Sequence, residues 1–402
     1  MLFVLLLGLF AVANGYDLMP KFNTVHSWKF VDFEFPNEDV RKEMIANGSF
    51  IQKNNMPLGL QIWQDKIFIT VPRWKKGVAA NLNYISMNDS SQAPNLIPYP
   101  NWKSNDINNP DGIVNIFRVR ADACNRLWGV DSGIEDILGD FTVVRPIRLF
   151  VIDLLTDKVL RTYTFKESDQ KPDSFFADLV VDVDPDKCDD THVYISDLGG
   201  YGMVVYSWAK NDSWRISHNY FHFDPLQGDY TVSGINFQWT DGVFGMSLSP
   251  AHKDGSKTLY FHAMSGITEF SVSTNVLKDH SLKLAHDYYE FHVEGKKGLK
   301  TQGPSSLIDP NTGINYFTQV NKNGIACWDT SVQLEPNNFH LAAQDNTTMV
   351  FPNDLAIDIT YEKLYVLSDN LPVFQYREYN PEAYNFFLTA ADLNALTDHC
   401  KH

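Results

Sequence analysis

The sequence has no excess of basic residues. Its 402 residues include 33 lysines and arginines against 49 aspartates and glutamates, which gives a net charge of −16. A chain this acidic repels nucleic acid and anionic membranes, and its electrostatic field attracts cations. We therefore expect neither a nucleic-acid partner nor a membrane partner. A cationic ligand is permitted by the charge but not required by it.

The common catalytic motifs are also missing. The sequence contains no GxSxG nucleophile elbow, no HExxH zinc motif, no phosphate-binding loop and no GxGxxG stretch ahead of a helix. The glycine cluster Gly199–Gly202 is interpreted as a loop corner. His252 and His262 are not spaced as metal ligands on one strand, so we expect both at the surface, in turns or strands. The sequence predicts a protein that is not an enzyme and has no cofactor or metal.

Long hydrophobic runs are absent beyond the N-terminus. MLFVLLLGLFAVANG, residues Met1–Gly15, is too short to span a membrane and ends in the small residues Ala13 and Gly15, as signal peptides do. We predict that this segment is removed on export; the alternative is a buried N-terminal strand. Residues 16–402 would then form the secreted, extracellular protein.

Cysteines are few, and none lies in a CxxC pair or in a cluster with histidine, which argues against structural zinc. An even number in an exported chain predicts two disulfides, with three possible pairings. The four cysteines are Cys124, Cys188, Cys327 and Cys400. Four Asn-x-Ser/Thr sequons are candidate glycosylation sites, at Asn47, Asn88, Asn211 and Asn346.

Helical periodicity is scarce, and a β pattern recurs instead. Two alternating apolar runs flank a polar turn, and a third run follows after a small or polar corner. Six copies of this pattern begin at Leu58, Phe117, Leu179, Phe244, Ser305 and Leu355. Copies spaced about fifty to seventy residues apart predict propeller blades. The fold is therefore predicted to be all-β, with residues 16–402 forming one six-bladed β-propeller; a pair of β-sandwiches is the alternative.

The two ends of the chain supply further predictions. His26–Phe35 alternates as a strand does, and we expect it to complete the last blade and close the ring. Pro381–Leu396 is the best helical candidate and lies next to Cys400. The innermost strands of a propeller line its central channel. Asn353 and Asp354 begin such a strand in the last blade, so they are predicted to face the mouth of the channel.

Five motifs resemble those of a known family. They are ACNRLWGVDSG from Ala123, FADLVVDVDPDKC from Phe176, VFGMSLSP from Val243, ACWDT from Ala326 and FPNDLAID from Phe351. In order and spacing they resemble the yellow/major royal jelly protein family of insects, and within it the salivary yellow-related proteins of blood-feeding sand flies. The resemblance extends over nearly all of residues 16–402. It implies a six-bladed propeller with the disulfides Cys124–Cys188 and Cys327–Cys400.

The resemblance also implies a function. The salivary members bind biogenic amines such as serotonin, histamine and catecholamines, and thereby remove host signals for vasoconstriction, platelet activation and inflammation. The residues that would hold the amine nitrogen are Thr330 by motif, and Asn346 and Thr348 by spacing. The relatives have an aromatic residue where Thr348 stands, and a glycan on Asn346 would keep that residue out of a closed pocket.

Three further residues are candidate ligand contacts. Phe351 is a candidate wall for the ligand ring, with packing between blades as the alternative. Asn353 and Asp354 would either contact the ligand or satisfy the donors of the inner strands. An acceptor-rich channel suits a protonated amine because its ammonium has three N–H donors that need oxygen partners when buried.

Two other functional classes remain open at this stage. A channel enzyme would resemble either family members associated with dopachrome conversion or a calcium-dependent hydrolase, with Asn353, Asp354 and Asp131 as oxygen ligands. A structural or nutritive secreted protein is the third possibility. The preferred prediction is a monomeric, non-catalytic binder of small-molecule biogenic amines.

Overall fold

Six antiparallel sheets of four strands each form the body of the protein, in a computed structural model that describes residues 19–280 and 288–401. The predicted signal peptide, Met1–Gly15, lies outside the described residues. From the innermost strand outward, the first three blades contain β2 (Leu60–Trp63), β3 (Lys66–Thr70), β4 (Leu82–Ser86) and β5 (Ile97–Pro98); β6 (Ile116–Ala121), β7 (Arg126–Asp131), β10 (Arg148–Asp153) and β11 (Lys158–Thr164); and β12 (Phe176–Asp182), β13 (His192–Asp197), β14 (Gly202–Ser207) and β15 (Asp212–Ile216).

The last three blades follow the same pattern. They contain β18 (Val243–Leu248), β19 (Thr258–Ala263), β20 (Thr268–Ser273) and β21 (Phe291–Lys296); β22 (Ser306–Ile308), β23 (Ile314–Gln319), β24 (Gly324–Asp329) and β25 (His340–Gln344); and β26 (Pro352–Asp358), β27 (Lys363–Ser368), β28 (Phe386–Asp392) and β1 (Asn23–Trp28). The innermost strands contact one another in a closed circuit, from β2 through β6, β12, β18, β22 and β26 back to β2. The predicted six-bladed β-propeller is confirmed.

Shorter elements connect the blades. Two small hairpins pair β8 (Ile134–Glu135) with β9 (Thr142–Val143), and β16 (Asp229–Val232) with β17 (Ile235–Gln238). The α-helices among the described residues are α1 (Glu38–Ala46), α2 (Thr274–Lys278), α3 (Leu371–Tyr376) and α4 (Leu393–Cys400). Single 3-10 turns occur at Gln52–Asn54, Lys103–Asn105, Glu167–Asp169, Cys188–Asp190, Asn219–Phe221, Tyr288–Glu290 and Val320–Lys322. No helix in the described ranges combines the length and apolarity needed to cross a bilayer.

The last blade joins the two ends of the chain. Strand β1 pairs antiparallel with β28, so that Trp28 lies opposite Phe386. An N-terminal strand therefore closes the ring, as expected. It occupies Asn23–Trp28 rather than the predicted His26–Phe35. Trp28 is buried, and its indole nitrogen donates a hydrogen bond to the Pro94 carbonyl of the neighbouring blade (2.9 Å).

The helix predicted at Pro381–Leu396 is wrong over most of its length. Phe386–Asp392 is strand β28, and only the segment from Leu393 onward is helical. Phe386, Leu388 and Ala390 alternate toward the core, and the strand has pairing partners on both sides. Tertiary pairing therefore decides the structure here, and the helix begins where the Asp392 carboxylate caps the Ala395 N–H.

Both disulfides join the cysteines as the resemblance implied. Cys124–Cys188 links the second blade to the third, and Cys327–Cys400 fastens the C-terminal helix α4 to the fifth blade. Tryptophans also connect adjacent blades: Trp128 packs against Tyr206 with ring centroids 6.4 Å apart. These contacts make each blade depend on its neighbours for a complete core.

His262 is buried, so the prediction that it lies at the surface is wrong. It lies on β19 and is 1% exposed, with Nδ1 2.9 Å from a Glu269 carboxylate oxygen and Nε2 3.1 Å from the Gly303 carbonyl. Lys297, also buried, lies 3.4 Å from the same Glu269 oxygen. The histidine can be accommodated because Gly245, opposite it on β18, has no side chain; a Cβ there would approach the imidazole to 2.4 Å. His252 is exposed, as expected.

Candidate ligand-binding site

Two arginines from one inner strand fill the middle of the channel. Arg118 and Arg120 lie on β6, and both pair with Asp178 of the third blade, at 2.7 and 3.0 Å. Arg120 also pairs with Asp354 of the sixth blade at 3.0 Å. The Arg118, Asp178 and Asp354 side chains are at most 1% exposed, and that of Arg120 is 13% exposed. Buried charges require such pairing, so the ion pairs form a floor across the channel.

Asp354 is saturated by protein groups. Its carboxylate accepts hydrogen bonds from the Leu60 N–H (2.9 Å) and the Ser305 hydroxyl (3.0 Å) in addition to Arg120. Burial opposes its ionisation, but the nearby Arg120 and Arg118 outweigh burial and lower the pKa of Asp354. Asp354 was predicted to face the mouth of the channel, but in this structure it lies buried in the floor and acts as a counter-ion to the arginines.

An apolar cavity of about 270 Å³ lies above this floor. It occupies the end of the channel where the inner strands begin, since Phe117, Phe175, Phe244 and Asn353 line it. Its volume is just below the ~300–1,000 Å³ that is usual for small-molecule pockets. The cavity therefore has room for one small ligand.

Aromatic rings dominate the wall of the cavity. The lining includes six of them: Trp74, Phe117, Phe175, Trp239, Phe244 and Phe351. Phe117 makes edge-to-face contacts with Phe175 (4.7 Å) and with Trp74 (5.0 Å). Phe244 stacks under the Arg118 guanidinium at 4.4 Å, at the boundary between the cavity and the charged floor. Such rings offer apolar faces to a ligand ring and negative faces to a cation.

One carboxylate in the cavity has no protein partner. Asp241 lines the wall, and within residues 19–280 and 288–401 no group donates a hydrogen bond to its side chain or forms an ion pair with it. Burial among apolar groups raises the pKa of Asp241 to about 6. At neutral pH the cavity therefore contains a largely ionised carboxylate without a counter-ion.

The backbone around Asp241 is rigidly placed. Its carbonyl accepts from the Ser265 N–H (3.0 Å), and the next residue, Gly242, donates to the Leu198 carbonyl (2.9 Å). Gly242 is required here because a Cβ would approach a Tyr201 ring carbon to 2.5 Å. Asp241 follows the β16–β17 hairpin and precedes β18. The carboxylate is thus presented by a turn locked between the third and fourth blades.

Segments from three blades form the rim. Ile137 follows β8, Trp239 follows β17, and Leu371 and Gln375 belong to α3. The Trp239 indole donates a hydrogen bond to the Tyr376 hydroxyl (2.8 Å), which ties the hairpin to the helix. Leu371–Tyr376 is helical, and Pro372 at the start of the segment favours a helical first turn.

The structure brings two of the predicted site residues to this cavity. Phe351 and Asn353 both line it. The amide of Asn353 is already committed, because Oδ1 accepts from Arg118 (3.2 Å) and Nδ2 donates to Asp369 (2.7 Å). Phe351 packs against Trp239 with ring centroids 5.9 Å apart. It is 1% exposed and belongs to the hydrophobic core, so it both packs in the core and forms part of the aromatic wall.

Of the remaining predicted residues, Thr330 lies apart from Asn346 and Thr348. Thr330 follows β24 and donates its hydroxyl hydrogen bond to the Gly313 carbonyl (2.8 Å). Asn346 is exposed and accepts from Asn323, which directly precedes β24. Six strand residues, about 20 Å at ~3.3 Å per residue, separate these positions. Thr348 is half-buried in the same turn as Asn346. One small ligand cannot contact Thr330 and Asn346 together in this structure.

The carboxylates considered as calcium ligands are engaged elsewhere. Asp131 pairs with Arg148 (2.9 Å) and accepts from the Asn115 N–H (2.7 Å), whereas Asp354 pairs with Arg120. In the parts of the chain that the structure describes, no three His, Cys, Asp or Glu residues are grouped as a metal site requires. The donor set does not fit the calcium-hydrolase alternative.

Comparison with known proteins places the chain in a family. Residues 114–400 match the family model described as major royal jelly protein. The chain is 38% identical over 377 residues to the protein yellow of Drosophila yakuba and to that of Drosophila melanogaster, covering 93% of this chain and 69% of each relative. The chain belongs to the yellow/major royal jelly protein family. The family predicted from the five sequence motifs is therefore confirmed.

A solved structure also resembles the fold of this family member. A structural genomics protein of unknown function from Bacteroides thetaiotaomicron aligns over 92% of this chain and 75% of its own, with a TM-score of 0.53 and 9% identity. At that identity the likeness concerns the fold alone.

Proposed function

We propose that this yellow-family protein binds small aromatic amines, including biogenic amines, in the cavity at the mouth of its channel. The observation that carries the proposal is the unpaired carboxylate of Asp241 in a wall of aromatic rings. A protonated aromatic amine supplies both complements, an ammonium for the carboxylate and a ring for the aromatic faces.

The chemistry of the cavity disfavours other ligand classes. An anion would meet the negative charge of Asp241, and the arginines below are already neutralised by Asp178 and Asp354. A neutral apolar ligand would leave the Asp241 carboxylate desolvated without a counter-ion, which is unfavourable. A cation without a ring would leave most of the aromatic wall unfilled.

The biological setting of this proposal comes from sequence. The predicted signal peptide supports secretion, and the resemblance to the salivary proteins of sand flies supports a role in saliva. There, removal of serotonin, histamine or catecholamines would counter vasoconstriction, platelet activation and inflammation. A scavenger removes one ligand per molecule, so it needs a Kd near or below micromolar, about −8 kcal/mol.

Isothermal titration of the purified protein tests the proposal. We expect saturable one-to-one binding of serotonin or a related aromatic amine, and weaker binding of the neutral ring compound that lacks the aminoethyl arm. If no amine of the series binds at micromolar concentrations, the proposal is refuted.

The same carboxyl supports one second candidate function, proton transfer. A group with a pKa near neutrality suits a general base, which would fit the dopachrome-conversion alternative. Incubation with the amine or with dopachrome, followed by chromatography, separates the two functions: a binder saturates and returns its ligand unchanged, whereas an enzyme accumulates product beyond one equivalent.

A further inference from the structure

A second cavity lies outside the channel, beside one of the sequons. Its volume is about 350 Å³, and its wall is built from the end of α1, the loop after β3, the turn at residues 102–108 and strand β8. Asn47, Gly48 and Ser49, the three residues of the first sequon, all line it. An N-linked sugar attached at Asn47 would therefore start within the cavity.

The local geometry leaves the glycosylation atom free. Asn47 caps the C-terminus of α1 and is exposed. Its Oδ1 accepts a hydrogen bond from the Ser49 N–H (2.9 Å), and no described residue accepts a hydrogen bond from its Nδ2. Gly48 turns the chain with φ of +80°, and nothing lies within 4 Å of the position where its Cβ would be. The side chain is thus held at the rim with Nδ2 available.

The wall offers an apolar face of the kind that sugar rings contact. Trp102 is half-buried in the wall, stacked on Phe35 at 5.0 Å and fixed by a hydrogen bond from its indole nitrogen to the Glu34 carbonyl (3.1 Å). Val78 and Ile107 add aliphatic surface. The C–H face and the acetamide methyl of an N-acetylglucosamine can pack on such groups.

The wall also offers acceptors for hydroxyl groups. Glu135 lines the cavity, and no described residue donates a hydrogen bond to its carboxylate. Asn108 donates from Nδ2 to Asp106 (3.1 Å), while its Oδ1 has no described donor. Sugar hydroxyls are donors, and carboxylate and amide oxygens accept from them. The sequon at its rim distinguishes this cavity from the channel site, whose wall combines aromatic rings with Asp241.

We infer that this cavity is the seat of the protein's own Asn47-linked glycan, with the first N-acetylglucosamine packed against Trp102 and hydrogen-bonded to Glu135. The covalent attachment to Asn47 favours this glycan over free saccharides as the occupant of the cavity. A short tether gives an effective concentration of about millimolar, so the attached sugar occupies the site at least half of the time if the monosaccharide Kd is about millimolar or lower. A free saccharide from solution would have to compete with that concentration.

The glycan seat and the ligand cavity are lined by neighbouring residues of the same two segments. Arg73 lines the seat, and its chain neighbour Trp74 lines the aromatic channel site. Glu135 lines the seat, and Ile137, two residues later, lies at the rim of the channel site. A seated sugar would therefore restrain both segments from behind. We expect it to reduce the mobility of Trp74 and Ile137 without contacting the amine.

The test uses the full-length protein secreted from cells that keep N-glycans in the high-mannose form. A variant with Asn88→Gln, Asn211→Gln and Asn346→Gln retains only the Asn47 sequon, and endoglycosidase H then leaves a single N-acetylglucosamine there. The comparison protein adds Ser49→Ala, which blocks glycosylation but keeps Asn47. We expect the form with one sugar to melt about 1–3 °C higher, with slower hydrogen–deuterium exchange in residues 44–50, 73–79 and 102–108.

A matched pair controls for the general effect of a sugar. The same experiment with only the Asn346 sequon retained, compared with Thr348→Ala added to that protein, should show no such shift, because Asn346 lies in an exposed turn. Trp102→Ala should abolish the difference between the two Asn47 forms. The inference is overturned if mass spectrometry finds Asn47 unmodified in the secreted protein, or if the one-sugar form and its Ser49→Ala counterpart melt and exchange alike.

Discussion

Replacing Asp241 with asparagine tests the ligand site most directly. The substitution keeps the shape of the side chain and removes the charge in the cavity wall that has no partner among the described residues. Losing one partner of a desolvated ion pair costs about 2–5 kcal/mol. Because Asp241 is partly exposed at the rim, we expect the low end, about 2 kcal/mol, which corresponds to a roughly 30-fold higher Kd for an aromatic amine.

The pH dependence of binding provides a second signature of the same group. Burial raises the pKa of Asp241 from 3.8 to about 6 in the free protein. The ionised fraction then falls from about 97% at pH 7.5 to about 9% at pH 5, while the amine stays protonated throughout. The Kd of the wild-type protein should therefore rise about tenfold over this range, and the Asp241→Asn variant should show no such rise.

The same substitution should increase stability. A carboxyl whose pKa is raised on folding favours the protonated form in the folded state, so stability is lost as pH rises from the unfolded value of 3.8 through about 6. Two pKa units correspond to at most about 3 kcal/mol, and partial exposure reduces this to about 1–2 kcal/mol. At pH 7.5 the asparagine variant should thus be the more stable protein in denaturant unfolding.

Titration calorimetry at pH 7.5, 6 and 5 measures the first two effects. Asp39→Asn removes the same charge from the exposed face of α1 and serves as the matched control, with an expected Kd unchanged within about twofold. A wild-type Kd that does not change with pH would refute the assignment of Asp241 as the counter-ion. So would an Asp241→Asn variant that binds amines as tightly as the wild type.

Three further substitutions follow from the fold and the site. Replacing Cys124 and Cys188 with serine opens a loop with a sequence separation of 64 and should lower the unfolding free energy by about 4 kcal/mol, measured by denaturant titration; an unchanged midpoint would contradict the stapling role. Asp354→Asn leaves Arg120 short of a buried counter-ion and should cost about 3–5 kcal/mol of stability, measured in the same way; a loss below 1 kcal/mol would show that the floor is not held by charge pairing. Phe351→Ala removes one ring from the cavity wall and should raise the amine Kd about 3- to 10-fold, whereas unchanged calorimetry would place the ligand elsewhere.

The architecture was largely predictable from the sequence because the same strand pattern occurs once for each blade. Each blade repeats the same alternating pattern, and a hairpin needs only local information to form. The segment that was predicted wrongly, Phe386–Asp392, becomes a strand because β27 and β1 pair with its two edges. One of those partners lies at the other end of the chain, and a local pattern does not contain it.

The candidate site was predicted only in part, for a related reason. Asn353 lines the mouth of the channel, where it was predicted to face, whereas Asp354 lies buried in the ion-pair floor. The arginines that neutralise Asp354 come from β6, more than 200 residues away in sequence. Asp241 was overlooked because Thr-Asp-Gly is an ordinary turn sequence. Its significance arises from the rings around it, such as Trp74 and Phe175, which belong to other blades. The signal that could have found it was an Asp-Gly turn directly before an inner strand of a propeller.

The pairing of β1 with β28 has a consequence for biogenesis. Residues 23–28 must wait for residues 386–392 before the circle can be completed, so a ribosome has to finish almost the entire polypeptide first. Until then the earlier blades lack a partner on one side and expose apolar surface. Folding of this protein should therefore depend on chaperones that bind the unclosed blades, and truncations near the C-terminus should aggregate rather than form smaller closed rings.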